Sequence, residues 1–199
     1  MKIKTISFVK SSQSISQCPE SSLPEFAFIG RSNVGKSSLI NMLSNRRALA
    51  KVSSVPGKTQ LINHFLVNDN WHLVDLPGYG WAKVGQKVKE KWEKDINNYL
   101  FHRENLYCVF VLVDSRHDPQ KIDLDFMAWL AENGIPFMVI FTKADKVSNN
   151  KLGGALARYK KIMKLHWEVL PQFICTSSET GVGKEEVLDT IEEIMSKIK

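Results

Sequence analysis

What this chain has little of narrows it first. Only three cysteines occur in 199 residues, Cys18, Cys108 and Cys175, and their odd number and wide spacing argue against a disulfide scaffold. Cys108 and Cys175 sit inside apolar, strand-like runs, where a free thiol acts as a small hydrophobe; a reducing cytoplasm is the expected home. No apolar run has the length needed to cross a bilayer, so no membrane is expected among the partners. Met1 to Phe8 contains lysines with no long apolar stretch behind them, which speaks against a secretory signal. Internal repeats, low-complexity tracts and linker-like compositions are also missing, and one domain spanning 1–199 is expected.

A hydrophobic content of 43% with 24% charged residues is enough to build one globular core. The formal net charge of +6 is spread over Arg46-Arg47 with Lys51, Lys83 to Lys94, and Lys160-Lys161 with Lys164. Each cluster alone reads as a solvated helix face. Together they allow contact with RNA or another polyanion, without sequence readout.

Apolar runs alternate with helical patterns as in an α/β sheet. Strands are expected at 25–29, 60–67, 71–76, 107–113, 136–142 and 172–176, and helices at 36–46, 86–102, 120–133, 149–164 and 183–198. The runs 107–113 and 137–141 are apolar throughout, as in central strands covered on both faces. Asn68-Asp69-Asn70 reads as a tight hairpin, which makes the second strand antiparallel at one edge of the sheet. Residues 10–22, rich in Ser and Gln and without periodicity, read as surface lead-in, and about 1–22 is assigned to it.

The strongest local signal is Gly30-Arg31-Ser32-Asn33-Val34-Gly35-Lys36-Ser37-Ser38, set between the apolar run 26–29 and a helical pattern. The strand fixes where this loop starts, and the helix behind it offers unpaired N–H groups and its positive dipole end to an anion. Gly30 and Gly35 permit the backbone angles and close approach of a phosphate loop; Lys36 reaches β- and γ-phosphates, and the Ser37 hydroxyl suits Mg²⁺. The loop implies a nucleoside triphosphate but does not choose one.

The strand ends choose. After 71–74 comes Asp75-Leu76-Pro77-Gly78, where the carboxylate can hold Mg²⁺ through water and the Gly78 N–H can approach a γ-phosphate. After 137–141 comes Thr142-Lys143-Ala144-Asp145. The two Asp145 oxygens match the adjacent N1–H and amine donors of guanine; adenine would leave that carboxylate unpaired. The Lys143 stem can lie along the base, and Thr176-Ser177-Ser178 can turn N–H groups toward the guanine carbonyl. Between the first helix and the antiparallel strand lies Gly57-Lys58-Thr59-Gln60-Leu61, with Thr59 suited to Mg²⁺ and the γ-phosphate, in a segment that would order with GTP and loosen with GDP.

These motifs resemble the EngB (YihA/YsxC) family of bacterial ribosome-biogenesis GTPases. The resemblance rests on Gly30 to Ser38, Pro56-Gly57-Lys58-Thr59-Gln60, Asp75-Leu76-Pro77-Gly78-Tyr79-Gly80-Trp81-Ala82-Lys83-Val84, Thr142-Lys143-Ala144-Asp145-Lys146 and Ser177-Ser178-Glu179-Thr180, and runs from about residue 5 to the C-terminus. It implies a three-layer Ras-like G domain with a mostly parallel, six-stranded sheet and one antiparallel edge strand. It also implies Mg²⁺-dependent, slow GTP hydrolysis, a monomer, and a role with rRNA and ribosomal proteins in assembly of the large ribosomal subunit, with effects on cell division and septation.

Where many GTPases carry a water-orienting glutamine after the Asp-x-x-Gly turn, this chain has Tyr79. Catalysis then falls to Lys36, Thr59, Mg²⁺, a partner, or a second cation. Asn33 has two readings of equal weight: a loop-stabilising amide, or a ligand for K⁺ beside the phosphates. Two other functions stay open. A nucleotide-dependent binding module with negligible hydrolysis is compatible with Tyr79. A small-molecule kinase would need an Arg-rich lid that the sequence lacks, and has no use for Thr142 to Asp145.

Overall fold

The computed structural model describes residues 1–46, 49, 61–79, 86–165 and 167–198, with the side chains at 86–89, 91 and 92 left aside. The elements run β1 (Ile6–Ser12), β2 (Glu25–Gly30), α1 (Lys36–Ser44), β3 (Ile62–Val67), β4 (Trp71–Asp75), α2 (Gln86–His102), β5 (Leu106–Asp114), α3 (Lys121–Glu132), β6 (Phe137–Thr142), α4 (Asn149–Met163), β7 (Phe173–Cys175) and α5 (Lys184–Ser196). The strands form one sheet in the order β1-β3-β4-β2-β5-β6-β7. β2, β4, β5, β6 and β7 are parallel, and β3 is antiparallel to both β1 and β4.

Among the described residues the sheet therefore has seven strands rather than six, and its antiparallel edge is β1 rather than the strand after the first helix. β1 lies inside the expected lead-in and pairs with β3 from Ile6↔Val67 to Ser12↔Ile62, with an irregularity between Phe8 and Lys10. Its residues 7–11 are all exposed. The strand is held by its backbone ladder, with Ile6 at the core margin and Phe8 edge-on to Phe65, and its exposed run gives no periodic apolar face.

β2 and β5 are the sheet's apolar centre. All six residues of β2 are buried, and Phe28 stacks on Phe110 with ring centroids 4.8 Å apart. On one face α1 and α5 pack through Leu39, Ile40, Leu43, Val187, Leu188 and Ile191. On the other face lie α2, α3 and α4, through Tyr99, Leu100, Met127, Leu130, Tyr159 and Met163. This is the expected three-layer arrangement. The β3–β4 hairpin turns at Asn68 and Asp69, with φ of 49° and 57°, a left-handed region that these two residue types tolerate.

The base of the sheet holds a buried polar cluster. Glu25, fully buried at the start of β2, accepts from Tyr99 Oη at 2.6 Å and from Arg103 Nη2 at 2.6 Å and Nε at 3.1 Å. His64 Nε2 stands 3.4 Å from Glu25 Oε1 without completing a hydrogen bond, so its influence is electrostatic. Burial would push the Glu25 carboxyl up, but His64, Arg103 and Tyr99 more than offset it and bring it from 4.5 down to about 2. The cluster ties β2, β3 and α2 together at the end away from the phosphate loop.

Candidate functional site

Strand order reverses between β2 and β5, since β2 leads on to strands on one side and β5 to strands on the other. Ligands of such sheets sit outside the carboxyl ends at that point. β2 ends at Gly30, where a Cβ would fall 2.8 Å from Leu112 O and 2.9 Å from Val34 Cγ1, so only glycine lets the loop leave β5 this closely. Val34 is buried and pins the loop, while Ser32 and Asn33 are exposed. Gly35 caps α1 with φ 103° and no side-chain cap, so the first N–H groups of α1 meet the loop's concavity unblocked by a capping side chain.

The turn after β4 continues beside β2. Leu76 N donates to Phe28 O and Tyr79 N to Gly30 O, and Arg31 and Tyr79 form a parallel bridge. Leu76 and Pro77 are buried. A Cβ on Gly78 would lie 2.6 Å from Gly30 O, which requires glycine there as well. The register brings Lys36 Nζ onto Asp75 Oδ1, with Asp75 almost wholly buried. The residue expected at phosphate and the residue expected at Mg²⁺ are thus adjacent, and the Ser37 backbone follows directly.

These residues fit a Mg²⁺ that arrives with phosphates. One hydroxyl, from Ser37, and one carboxylate, from Asp75, are hard oxygen donors. Among the described residues no group of three or more His, Cys, Asp or Glu side chains forms a metal cage of its own.

The loop after β6 is locked to the phosphate loop. Thr142 Oγ1 donates to Val34 O at 2.6 Å, and Lys143 Nζ donates to Asn33 O at 2.6 Å. Lys143 itself has φ 58°. Asp145 Oδ1 accepts from Ser177 Oγ at 2.6 Å and Oδ2 stands 3.1 Å from Lys146 Nζ; these contacts draw its carboxyl below the usual range. Ala144 N donates to Thr176 O, and the Thr176 hydroxyl to Phe141 O. Ser177 spends its N–H on Val182 O, which leaves presentation of an N–H from the serine pair to the exposed Ser178.

The structure thus brings Gly30 to Ser38, Asp75 to Gly78, Thr142 to Asp145 and Thr176 to Ser178 to the carboxyl ends of the parallel strands. Leu61 is half-buried immediately before β3. Gly57, Lys58, Thr59 and Gln60 lie outside the described residues. Arg31 points its Nε toward Asp123 Oδ2, 3.4 Å away.

Two acids escaped the reading of the sequence. Asp114 ends β5 and pairs with Lys143 Nζ at 2.9 Å and with Arg116 through two guanidinium nitrogens. Burial opposes its ionisation, but hydrogen bonds from Arg116 and Lys143 take its carboxyl well below the ordinary range. Asking what β5 carries at its end, as for the other parallel strands, would have found it. Asp123 lies on α3 one and two turns before the buried Met127 and Leu130, a carboxylate on an apolar stripe. Its surroundings include Tyr79, which is buried, donates to Asp123 Oδ1 at 2.9 Å and packs on Phe126 with centroids 4.6 Å apart. Tyr79 faces α3, not the phosphate loop.

A phosphate loop opening a helix, an acid-glycine turn laid against it, and an aspartate braced by a serine after the sixth strand define a P-loop GTPase. The family model described as 50S ribosome-binding GTPase matches residues 25–143. The chain is 55% identical over 198 residues to the probable GTP-binding protein EngB of Christiangramia forsetii, covering all of both chains, and 54% identical to that of Porphyromonas gingivalis, covering all of this chain and 98% of the other. It belongs to the EngB family. A crystal structure described as a probable GTP-binding protein EngB matches with a TM-score of 0.69 at 24% identity, over 87% of this chain and all of that one. Era in complex with MgGDPNP and a 16S ribosomal RNA segment matches with a TM-score of 0.67 at 21% identity, over 86% of this chain and 56% of that one. At those identities the two structures speak for the fold alone.

Proposed function

We propose that this chain, as a single G domain and a monomer in the cytoplasm, binds GTP and GDP with Mg²⁺, hydrolyses GTP slowly, and uses the cycle as a switch in assembly of the large ribosomal subunit. The observation that carries the nucleotide reading is the Lys143 clamp. One side chain ties the base-recognition loop to the Asn33 carbonyl of the phosphate loop, so base and phosphates are read by one rigid unit. Asp145, oriented by Ser177, accepts from N1–H and the exocyclic amine of guanine. Ser178 and Thr176 line the same turn.

The backbone N–H groups from Arg31 to Ser38 surround the phosphates, and Lys36 neutralises charge that develops between the β- and γ-oxygens. Gly78, whose missing side chain lets the turn close on the phosphate loop, would bring its N–H to the γ-phosphate. Ser37, Asp75 through water, and Thr59 would hold Mg²⁺, which supplies charge neutralisation at those oxygens. Gly57, Lys58, Gln60 and Leu61 accompany Thr59 as the segment that senses the γ-phosphate. K⁺ held by Asn33 is a second source of positive charge for the same site.

Support for the ribosomal role comes from membership of the EngB family, from a family model described as ribosome-binding, and from the net positive charge. rRNA and ribosomal proteins of a large-subunit precursor are the partners this implies, with impaired growth, division and septation as the consequence of loss. Cosedimentation with large-subunit precursors, compared between GDP and a non-hydrolysable GTP analogue, tests it; equal and negligible binding in both states would refute the switch. A second reading, a ribosome-binding module with negligible hydrolysis, is favoured by the burial of Tyr79, which removes it as a guide for water. Single-turnover hydrolysis with and without large subunits separates the two.

A further inference from the structure

The two glycines at which the backbones pack too closely for a side chain, Gly30 and Gly78, are each followed by a residue whose side chain leaves the site and enters the same place. Arg31 follows Gly30, and Tyr79 follows Gly78; the two are bridged along the backbone, and Tyr79 N donates to Gly30 O at 3.2 Å. Their side chains converge on one carboxylate. Tyr79 Oη donates to Asp123 Oδ1 at 2.9 Å, and Arg31 Nε stands 3.4 Å from Asp123 Oδ2. Asp123 is 1% exposed and Tyr79 5% exposed, whereas Arg31 reaches solvent, so the acid and the phenol have no water to substitute for these contacts. Burial lifts both the Tyr79 hydroxyl and the Asp123 carboxyl, which keeps the phenol a donor. Phe126, one turn along α3 from Asp123, covers the Tyr79 ring.

We propose that Asp123, on α3, is a positioning residue for GTP hydrolysis: by holding Tyr79 with one oxygen and Arg31 with the other, it fixes the spacing between the phosphate loop and the Gly78 N–H. The inference rests on the GTPase reading of the site. Asp123 touches no phosphate in this scheme. It acts through the backbone of the two residues it holds, so its loss loosens the contact made to a γ-phosphate and leaves the contacts made to GDP. A misplacement of about 1 Å caused far from the chemistry is enough to slow it about a hundredfold.

The test compares wild type with Asp123→Asn, Tyr79→Phe and the double variant. Tyr79→Phe keeps the ring against Phe126, and Asp123→Asn keeps the shape and an acceptor oxygen, so both are chosen to preserve the fold. The readouts are single-turnover hydrolysis, affinity for GDP and for a non-hydrolysable GTP analogue, and the melting temperature. Expected are about a tenfold loss of hydrolysis rate and of analogue affinity in Asp123→Asn, GDP affinity within about twofold of wild type, and a double variant no slower than Asp123→Asn, because residues that act as a unit are not additive. Hydrolysis and the ratio of analogue to GDP affinity unchanged in both single variants would overturn the inference. Equal weakening of both nucleotides in step with a lowered melting temperature would overturn it too, as a structural role only. A wild type that neither binds nor hydrolyses GTP refutes the reading of the site itself; a competent wild type matched by its variants refutes only the role of Asp123.

Discussion

Replacing Glu25 by Gln removes one charge from the base of the sheet while keeping the side chain's shape. Glu25 is fully buried and holds Arg103 and Tyr99 at once, and these contacts, with His64, bring its carboxyl from 4.5 to about 2 despite burial. A carboxyl depressed on folding contributes stability that is present above its unfolded value and is lost as pH falls through its folded value. With 4.5 and about 2 as the two ends, that contribution is about 3 kcal/mol at pH 7 and shrinks to about 1 kcal/mol at pH 3. At 199 residues the pH 7 figure corresponds to a melting temperature lowered by about 6–12 °C. Urea unfolding of nucleotide-free wild type and Glu25→Gln at pH 7, 5, 4 and 3 reads it directly. The gap in unfolding free energy should be nearly constant from pH 7 to 5 and narrow below 4.5. A gap that ignores pH, or none at pH 7, would refute the assignment of this stability to the Glu25 charge.

Asp145→Asn should weaken GTP by about a hundredfold and strengthen xanthosine triphosphate, whose base offers an acceptor where guanine has its amine; calorimetry with both nucleotides decides, and unchanged GTP affinity would reject Asp145 as the base-reading group. Hydrolysis should run faster in KCl than in NaCl, and Asn33→Gly should erase the difference; glycine is the right replacement because φ at Asn33 is 63°, and equal rates in both salts for wild type would remove K⁺ from the site. Gly78→Ala places a Cβ 2.6 Å from Gly30 O, and should lower stability by about 1–3 kcal/mol and reduce binding of a GTP analogue more than of GDP. A thermal melt and two titrations check it, with wild-type values in both as the contrary outcome.

Most of the scaffold was legible because its signals are local. The helix expected at 36–46 is Lys36–Ser44, ended by Asn45 at φ 53°, and that expected at 149–164 is Asn149–Met163, begun by a Ser148 cap on Lys151 N. Strands 107–113 and 136–142 appear as Leu106–Asp114 and Phe137–Thr142, apolar on both faces as their composition required. β1 was invisible because residues 7–11 are all exposed and its pairing with β3 leaves no alternation of apolar and polar residues to read. The expected positions of Lys36, Asp75, Lys143 and Asp145 could be named from strand ends, but not what each would touch.

The amino-acid sequence by itself determined the order of elements from β2 onward, the glycines at 30, 35 and 78, and which acids end which strands. Those follow from steric freedom and apolar periodicity over a few neighbouring residues. Tertiary structure alone decided that Tyr79 turns into α3 rather than toward phosphate, that Asp123 receives both Tyr79 and Arg31, and that Lys143 binds Asn33 O and Asp114 together. Such pairings join residues from 29 to 110 positions apart. A carboxylate on an apolar helix stripe finds its partners only when the carboxyl ends of the central strands it packs against are built.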